Sequence, residues 1–587
     1  AAAGSGKTKV LVDRLMGYLT DPDDPADLDE FLIITYTRAA AAELRGKIAA
    51  RLGEMLAEDP DNKHLQRQLT RVYLAQISTV HAFCQTVLRQ YAAEADLPAD
   101  FRVADEQQAA ALRAEALQDT LAELYAGLDA NPDFAAMIDT LGRDDRRLLA
   151  LAEESYGVMR CQVDPAAWTR RCLQAYDLPE DAEAEQTLWG AWFLQERTRV
   201  LENADALLRQ AEDLCRREPK LEEKCTPVLE KNRAAIRDLL AETTWDGCME
   251  KKIAYFGAMR PPKDAEAVEQ VKGLRKEAWE MVKDIQRCFY APSRQVTDDL
   301  RRTVPALRGL LALLKAFDER FTQEKRRRHL LDFSDLEHCM IRLLTKKDTG
   351  APTAAARSLA QTYREILIDE YQDSNAVQEC IFQAVSREGK NLFLVGDVKQ
   401  SIYRFRLADP TIFLEKYARF ADFREAAPGA PRRILLRENF RSRRAVLEGA
   451  NHVFSNIMSR ALGELDYDDA ARLRAGASYP DDGEKPELAV LELPDADDDA
   501  PTPEKAALEA DYVARRIRAL IDGGAPVWEN GAKRPTHYGD AVILLRNANS
   551  VGPVYRAALE AHGIPVSAET SGGFYTSEEG SVLRSLL

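Results

Sequence analysis

The stretch Ala1-Ala2-Ala3-Gly4-Ser5-Gly6-Lys7-Thr8 decides the fold of this chain. A glycine-rich turn running into a helix aims backbone N–H groups at the α- and β-phosphates of a nucleotide. Lys7 can then reach the β- and γ-phosphates, and the Thr8 hydroxyl can ligate Mg²⁺. The full pattern starts with glycine where this chain has Ala1, so the strict match is Gly6, Lys7 and Thr8. Alone, the segment leaves open a chance Gly-Ser-Gly turn before a helix; a matching acidic strand elsewhere is needed to decide. Such a loop normally follows a strand, so a motif at residue 1 leads us to expect a piece of a longer protein.

Working outward, three further segments supply the parts of a nucleotide-driven motor. Ile366-Leu367-Ile368-Asp369-Glu370-Tyr371-Gln372-Asp373 is an apolar run ending in acid. A carboxylate at a strand end can hold the metal bridging β- and γ-phosphates, and its neighbour can orient and deprotonate water. We assign Asp369 to the metal and Glu370 to the water. In Gly396-Asp397-Val398-Lys399-Gln400-Ser401-Ile402-Tyr403-Arg404-Phe405-Arg406, Gln400 is a neutral amide suited to sensing a γ-phosphate. Tyr403 and Phe405, interleaved with arginines, suit stacking on single-stranded bases, although isolated aromatics are more often core. In Leu436-Arg437-Glu438-Asn439-Phe440-Arg441-Ser442, Arg441 can stabilise charge on a transferring phosphoryl group, coupling hydrolysis to cleft closure.

Length and composition set the frame. At 587 residues, 45% apolar and 30% charged, the chain predicts several soluble globular domains. No run of about 18 apolar residues suggests a membrane span. Nine cysteines without a C-x-x-C pair, and seven histidines without ligand spacing, suggest reduced thiols, no zinc site and a cytoplasmic protein. The net charge of −17 does not exclude nucleic acid, because binding depends on where basic residues cluster. Lys325-Arg326-Arg327-Arg328 could touch duplex phosphates, or could be a solvated helix face.

The expected fold is α/β. Residues 1–103 alternate helix and strand signals, with Phe31–Thr35 a buried strand followed by a helix from about Ala39 to Leu56. Residues 104–345 carry helical periodicity throughout and read as an inserted all-helical subdomain. The α/β pattern returns over 346–430, with strands at Glu365–Asp369 and Asn391–Val395. Residues 431–587 begin a further α/β portion, with an acidic linker at 481–504, a helix over 504–521 and a strand at Ala541–Leu545.

Together these segments resemble the ordered motif set of superfamily 1A helicases of the UvrD/PcrA/RecB kind. Thr35-Tyr36-Thr37-Arg38-Ala39-Ala40-Ala41-Ala42-Glu43-Leu44 and Ile77-Ser78-Thr79-Val80-His81-Ala82-Phe83-Cys84 are similar to two further motifs of that set. Gly396 to Pro410, with Phe413 and Lys416-Tyr417, and His329 to Leu336 are worded most like the AddA family, the helicase–nuclease chains of bacterial recombination complexes. The resemblance implies a RecA-like P-loop domain interrupted by helices, then part of a second RecA-like domain. It implies ATP and Mg²⁺ as cofactors, and single-stranded and duplex DNA as partners. It further implies 3′-to-5′ translocation in double-strand-break repair, together with an AddB-like partner subunit. It carries over Gln400 and Arg441 as γ-phosphate contacts and Phe440 as a base for adenine stacking. Tyr36, Thr37, Arg38, Thr79, His81, Tyr403 and Phe405 become the single-strand track.

By the same resemblance an adenine-reading glutamine lies upstream, and the last helicase motifs and the nuclease lie downstream. The chain as given is therefore expected to bind nucleotide and DNA poorly. The alternatives are a stand-alone UvrD-like repair helicase, or a DNA-binding scaffold subunit with weak ATPase. A kinase or transporter ATPase would not explain the Tyr403/Phe405 and Asn439–Arg441 segments.

Overall fold

The computed structural model describes residues 4–262, 266–404, 407–479, 485–492, 504–529, 532–567 and 585. Four parallel strands form its central sheet: β1 (Phe31–Thr35), β2 (Gln76–Thr79), β3 (Glu365–Ile368) and β4 (Leu392–Leu394). Their spatial order is β2-β1-β3-β4, with Ile33 opposite Ile77, Ile34 opposite Ile368, and Ile368 opposite Leu394.

Strand side chains alternate between faces. Leu32, Ile34, Ile366 and Ile368 therefore enter one core with Phe83, Tyr371 and Phe382. Phe31, Ile33 and Leu367 enter another with Leu11, Leu15 and Ile48. Both faces are covered, which is why these strands read as unbroken apolar runs. Each such fully buried side chain contributes about 1.5–3 kcal/mol relative to exposure.

Between β2 and β3 the chain leaves the sheet and forms a helical block. The strand pair Arg102–Val103 and Leu330–Leu331, in parallel register, pins the outgoing and returning chain side by side. One bundle packs Glu106–Ala126, Pro132–Thr140, Asp145–Arg160 and the 35-residue helix Ser293–Arg327 around Phe134, Phe317 and Phe321. A second packs Leu188–Cys215, Pro219–Leu240 and Val268–Arg287 around Leu208, Leu229 and Val282. The charge on the basic run is largely answered inside the fold. Lys325 is buried with its Nζ 2.6 Å from Asp332 and 2.5 Å from Asp335, and Arg327 and Arg328 pair with Glu324 and Glu115.

Two compact units divide the chain, residues 1–483 and 484–587. In the first, the segment after β4 carries two short parallel ladders, Ala421–Asp422 with Arg432–Arg433 and Glu438–Asn439 with Arg474–Ala475. In the second, helices Lys505–Asp522 and Ala548–Ala561 pack together beside a hairpin of Pro526–Glu529 and Ala532–Pro535. The strand expected at Ala541–Leu545 does not form among the described residues, and Val542 and Leu544 are exposed. An apolar β-branched run becomes a strand only when neighbours complete its ladder. Most of the acidic linker lies outside the described residues.

Candidate active site

The glycine-rich loop meets the helix Lys7–Leu19 at Gly6, its N-cap. Gly4 and Gly6 both hold left-handed backbone, at φ +65° and +80°, which glycine adopts without a Cβ penalty. Gly4 is also required by close approach. A Cβ there would stand 2.8 Å from both the Cβ of Arg441 and the Nδ2 of Asn439. The amide of Phe440 donates to the Gly4 carbonyl at 2.9 Å. Ser5 is buried, and its hydroxyl has no hydrogen-bond partner within the protein. Thr8 lies in the first helical turn, half-buried, where N–H groups and the helix dipole favour an anion. Ala1, Ala2 and Ala3 lie outside the described residues.

The acidic end of β3 faces this loop. Lys7, itself buried, places its Nζ 2.6 Å from the Oε2 of Glu370. Asp369 is buried, its amide donating to the Ile34 carbonyl and its carboxylate accepting the Glu370 amide, both at 3.0 Å. Burial, and then the charge of Glu370, push the Asp369 carboxyl above the usual carboxylate range. Glu370 holds left-handed backbone at φ +50°, a strained conformation for a glutamate.

Behind the acids lies a polar layer that sequence reading missed. Gln372 donates to Glu370 at 2.9 Å and accepts the Asp397 amide at 2.9 Å. The buried Asp397 carboxylate in turn accepts Gln400 Nε2 at 2.7 Å and Lys399 Nζ at 2.8 Å. Gln372 lies inside the quoted acidic run, but only the adjacency of β3 and β4 brings it against Asp397. Arg441 is exposed, with its amide held by Asn439 Oδ1 at 2.9 Å. Lys47 first, and Arg441 in part, hold the Glu43 carboxyl below its usual range. The half-exposed ring of Phe440 packs on Gly476, where a Cβ would come within 2.7 Å of it.

The remaining candidates line up at the carboxyl ends of adjacent strands, where open α/β sheets bind ligands. Tyr36, Thr37 and Arg38 follow β1, Thr79 and His81 lie at the end of β2, and Tyr403 follows β4. The Tyr36 hydroxyl pairs with Ser374 Oγ at 2.5 Å, and burial pushes its pKa up. Thr37 and Thr79 cap the helices that follow them, accepting from the Ala40 and Ala82 amides at 3.0 and 3.3 Å. His81 lies 3.2 Å from the buried Glu337 carboxylate and packs on Phe333 with ring centroids 4.6 Å apart. Phe405 lies outside the described residues. No cluster of three or more metal-ligating side chains occurs among the described residues, and no described helix is long and apolar enough to cross a membrane.

Comparison with known proteins agrees with this arrangement. Residues 1–421 match the family model for the UvrD/REP helicase N-terminal domain. The chain is 36% identical, over 99% of its length, to the A subunit of the ATP-dependent helicase/nuclease of Bacillus cereus strain ATCC 14579. It has the same identity and coverage with the protein of that name from Bacillus thuringiensis strain Al Hakam. In each case the match covers 48% of the relative, so the chain spans about half the length of the curated relatives it matches. A nucleotide-cradling loop on a parallel sheet, a helical block interrupting that sheet, and a family match across residues 1–421 lead to one conclusion: the chain belongs to the UvrD/REP helicase family.

Proposed function

We propose that this chain is the motor portion of an AddA-type helicase/nuclease, moving 3′-to-5′ along single-stranded DNA at the expense of ATP. The observation that carries the reading is the meeting of Lys7, Glu370, Gln400 and the Asn439–Arg441 segment, which come from four distant parts of the chain. Double-strand-break processing in the cytoplasm, with an AddB-like partner subunit, follows from the helicase/nuclease name of the relatives. That name also favours this reading over a stand-alone repair helicase.

In this reading Gly4 to Thr8 cradle the phosphates and Lys7 binds their β/γ-oxygens. Asp369 and Thr8 fit Mg²⁺, a hard cation that takes one or two protein oxygens and completes its shell with phosphate and water. The ion supplies neutralisation of charge between the β- and γ-phosphates. Glu370 orients the attacking water and takes its proton; it can do so once phosphate oxygens compete Lys7 away from its carboxylate. Gln400 reads the γ-phosphate, Arg441 offsets charge as the phosphoryl group transfers, and Phe440 stacks on adenine. Tyr36, Thr37, Arg38, Thr79, His81, Tyr403 and Phe405 hold the single strand, with the two threonines presenting it with capped helix N-termini.

The test is strand separation by the intact protein on duplexes bearing a 3′ or a 5′ single-stranded tail. ATP-dependent opening of the 3′-tailed duplex alone is expected. Opening of the 5′-tailed duplex alone would reverse the polarity, and opening of neither would remove the helicase reading.

A further inference from the structure

We propose that Gln372 is a positioning residue that locks the carboxylate of Glu370 to the γ-phosphate sensor Gln400, so that the two groups act as one unit. The inference rests on the roles given to Glu370 and Gln400 above and adds a residue between them.

Gln372 is 2% exposed and both ends of its amide are engaged. Nε2 donates to Glu370 Oε2 and Oε1 accepts the Asp397 amide, each at 2.9 Å. These partners fix the amide orientation, because a flip would set a carbonyl against a carboxylate and an NH₂ group against an N–H. From Asp397 the path continues through its buried carboxylate to Gln400 Nε2 at 2.7 Å. Lys399, at 2.8 Å from the other oxygen, supplies the opposite charge that a buried carboxylate needs.

The surroundings are shaped to the amide. A Cβ at Gly396 would fall 2.6 Å from Gln372 Oε1 and 2.9 Å from Phe413 Cε1, so the glycine opens the space the amide fills. The segment that follows closes over it, with Ser401 Oγ donating to the Gln372 carbonyl at 3.4 Å. A purely packing role could be met by an apolar side chain of similar shape. Only a neutral amide donates to a carboxylate and accepts from a backbone N–H at once.

The consequence concerns timing. Glu370 is held by two donors, Lys7 and Gln372. When phosphate draws Lys7 away, Gln372 is the donor that keeps the carboxylate aimed, against the strain of its left-handed backbone. Since the same amide leads to Gln400, a shift of the sensor toward a γ-phosphate is passed to the base.

The test compares the intact protein with Gln372→Met, Gln400→Ala and the double variant. It reads kcat for hydrolysis with single-stranded DNA, the Kd of a fluorescent ATP analogue and the thermal midpoint. Gln372→Met is expected to lower kcat about 100-fold, the scale of a displaced catalytic group, with Kd unchanged within about twofold and the midpoint retained. The double variant is expected to cost no more than the worse single one, as for groups on one path. Should Gln372→Met fail to fold, Gln372→Glu keeps shape and acceptor but sets a carboxylate against Glu370, and the same loss of kcat is expected. Unchanged kcat, parallel loss of affinity and midpoint, or multiplicative losses in the double variant would overturn the proposal alone. A parent protein that hydrolyses ATP without response to DNA would overturn the functional reading and this inference with it.

Discussion

Lys7 and Glu370, 363 positions apart in sequence, form an ion pair of 2.6 Å between the first turn of the phosphate-loop helix and the end of β3. The cation proposed for the phosphates and the carboxylate proposed for the water thus neutralise each other. Binding of phosphate and release of the base become one event. Lys7→Ala and Glu370→Gln are each expected to lower hydrolysis about 10²–10³-fold, the scale for removing one charge-stabilising group. They should separate on binding: a fluorescent ATP analogue should bind weakly to the first and normally to the second. Equal affinities would disconnect Lys7 from the phosphates.

Gly4 gives a sharper steric test. Gly4→Ala places a methyl against Arg441 and Asn439 on backbone at φ +65°, which costs about 1–3 kcal/mol in strain before the clash is counted. The variant should melt earlier and hydrolyse poorly. Gly46→Ala, in the helix Arg38–Glu58 with nothing within 4 Å, should be neutral or stabilising by up to about 1 kcal/mol. Calorimetry on both variants checks the contrast; equal midpoints would refute it.

Asp373 makes stability depend on pH. Burial, then the charge of Glu370, raise its carboxyl to about 6. In the unfolded chain the group titrates near 3.9, at about the ordinary Asp value. Between these values the folded state keeps a proton that the unfolded state has lost, so stability falls as pH rises. The favourable contribution is whole below the unfolded value and lost by the time pH passes the folded one. Asp373→Asn should therefore gain on the parent steadily from pH 4 to pH 7 in urea titrations. A difference independent of pH would contradict the assignment.

The helical block is tied to the returning chain by buried charge. Arg160 donates to Ser334 Oγ at 2.9 Å and to Asp335 at 3.0 Å, and Tyr156 donates to Asp318 at 2.9 Å beside it. Removing one partner of such a group leaves its counter-charge uncompensated, so Arg160→Ala should cost about 3–5 kcal/mol. Arg160→Lys keeps the charge but loses the fork, and should recover only part of that loss. Denaturant midpoints measure both.

Much of this molecule can be read locally. Phe31–Thr35 and Glu365–Ile368 are strands because both faces are buried, and their apolar runs say so. Lys7, Asp369 and Glu370 stand in short segments whose residue types carry their own chemistry. Gln372 escaped notice because its meaning depends on β3 lying beside β4, a long-range fact. Thr37 and Thr79, expected only on the strand track, also cap helices, a local role that Thr-x-x patterns permit. Ala541–Leu545 fails in the other direction: its pattern is strand-like, yet Val542 and Leu544 remain exposed among the described residues. A ladder needs partners that a pattern cannot supply.

The motor assignment is tested most directly by ATP hydrolysis in the intact protein, with and without single-stranded DNA, beside Lys7→Ala. Strong stimulation by DNA is expected in the parent, and its loss in the variant. A folded parent whose hydrolysis ignores DNA, or a Lys7→Ala variant that keeps the stimulation, would contradict it.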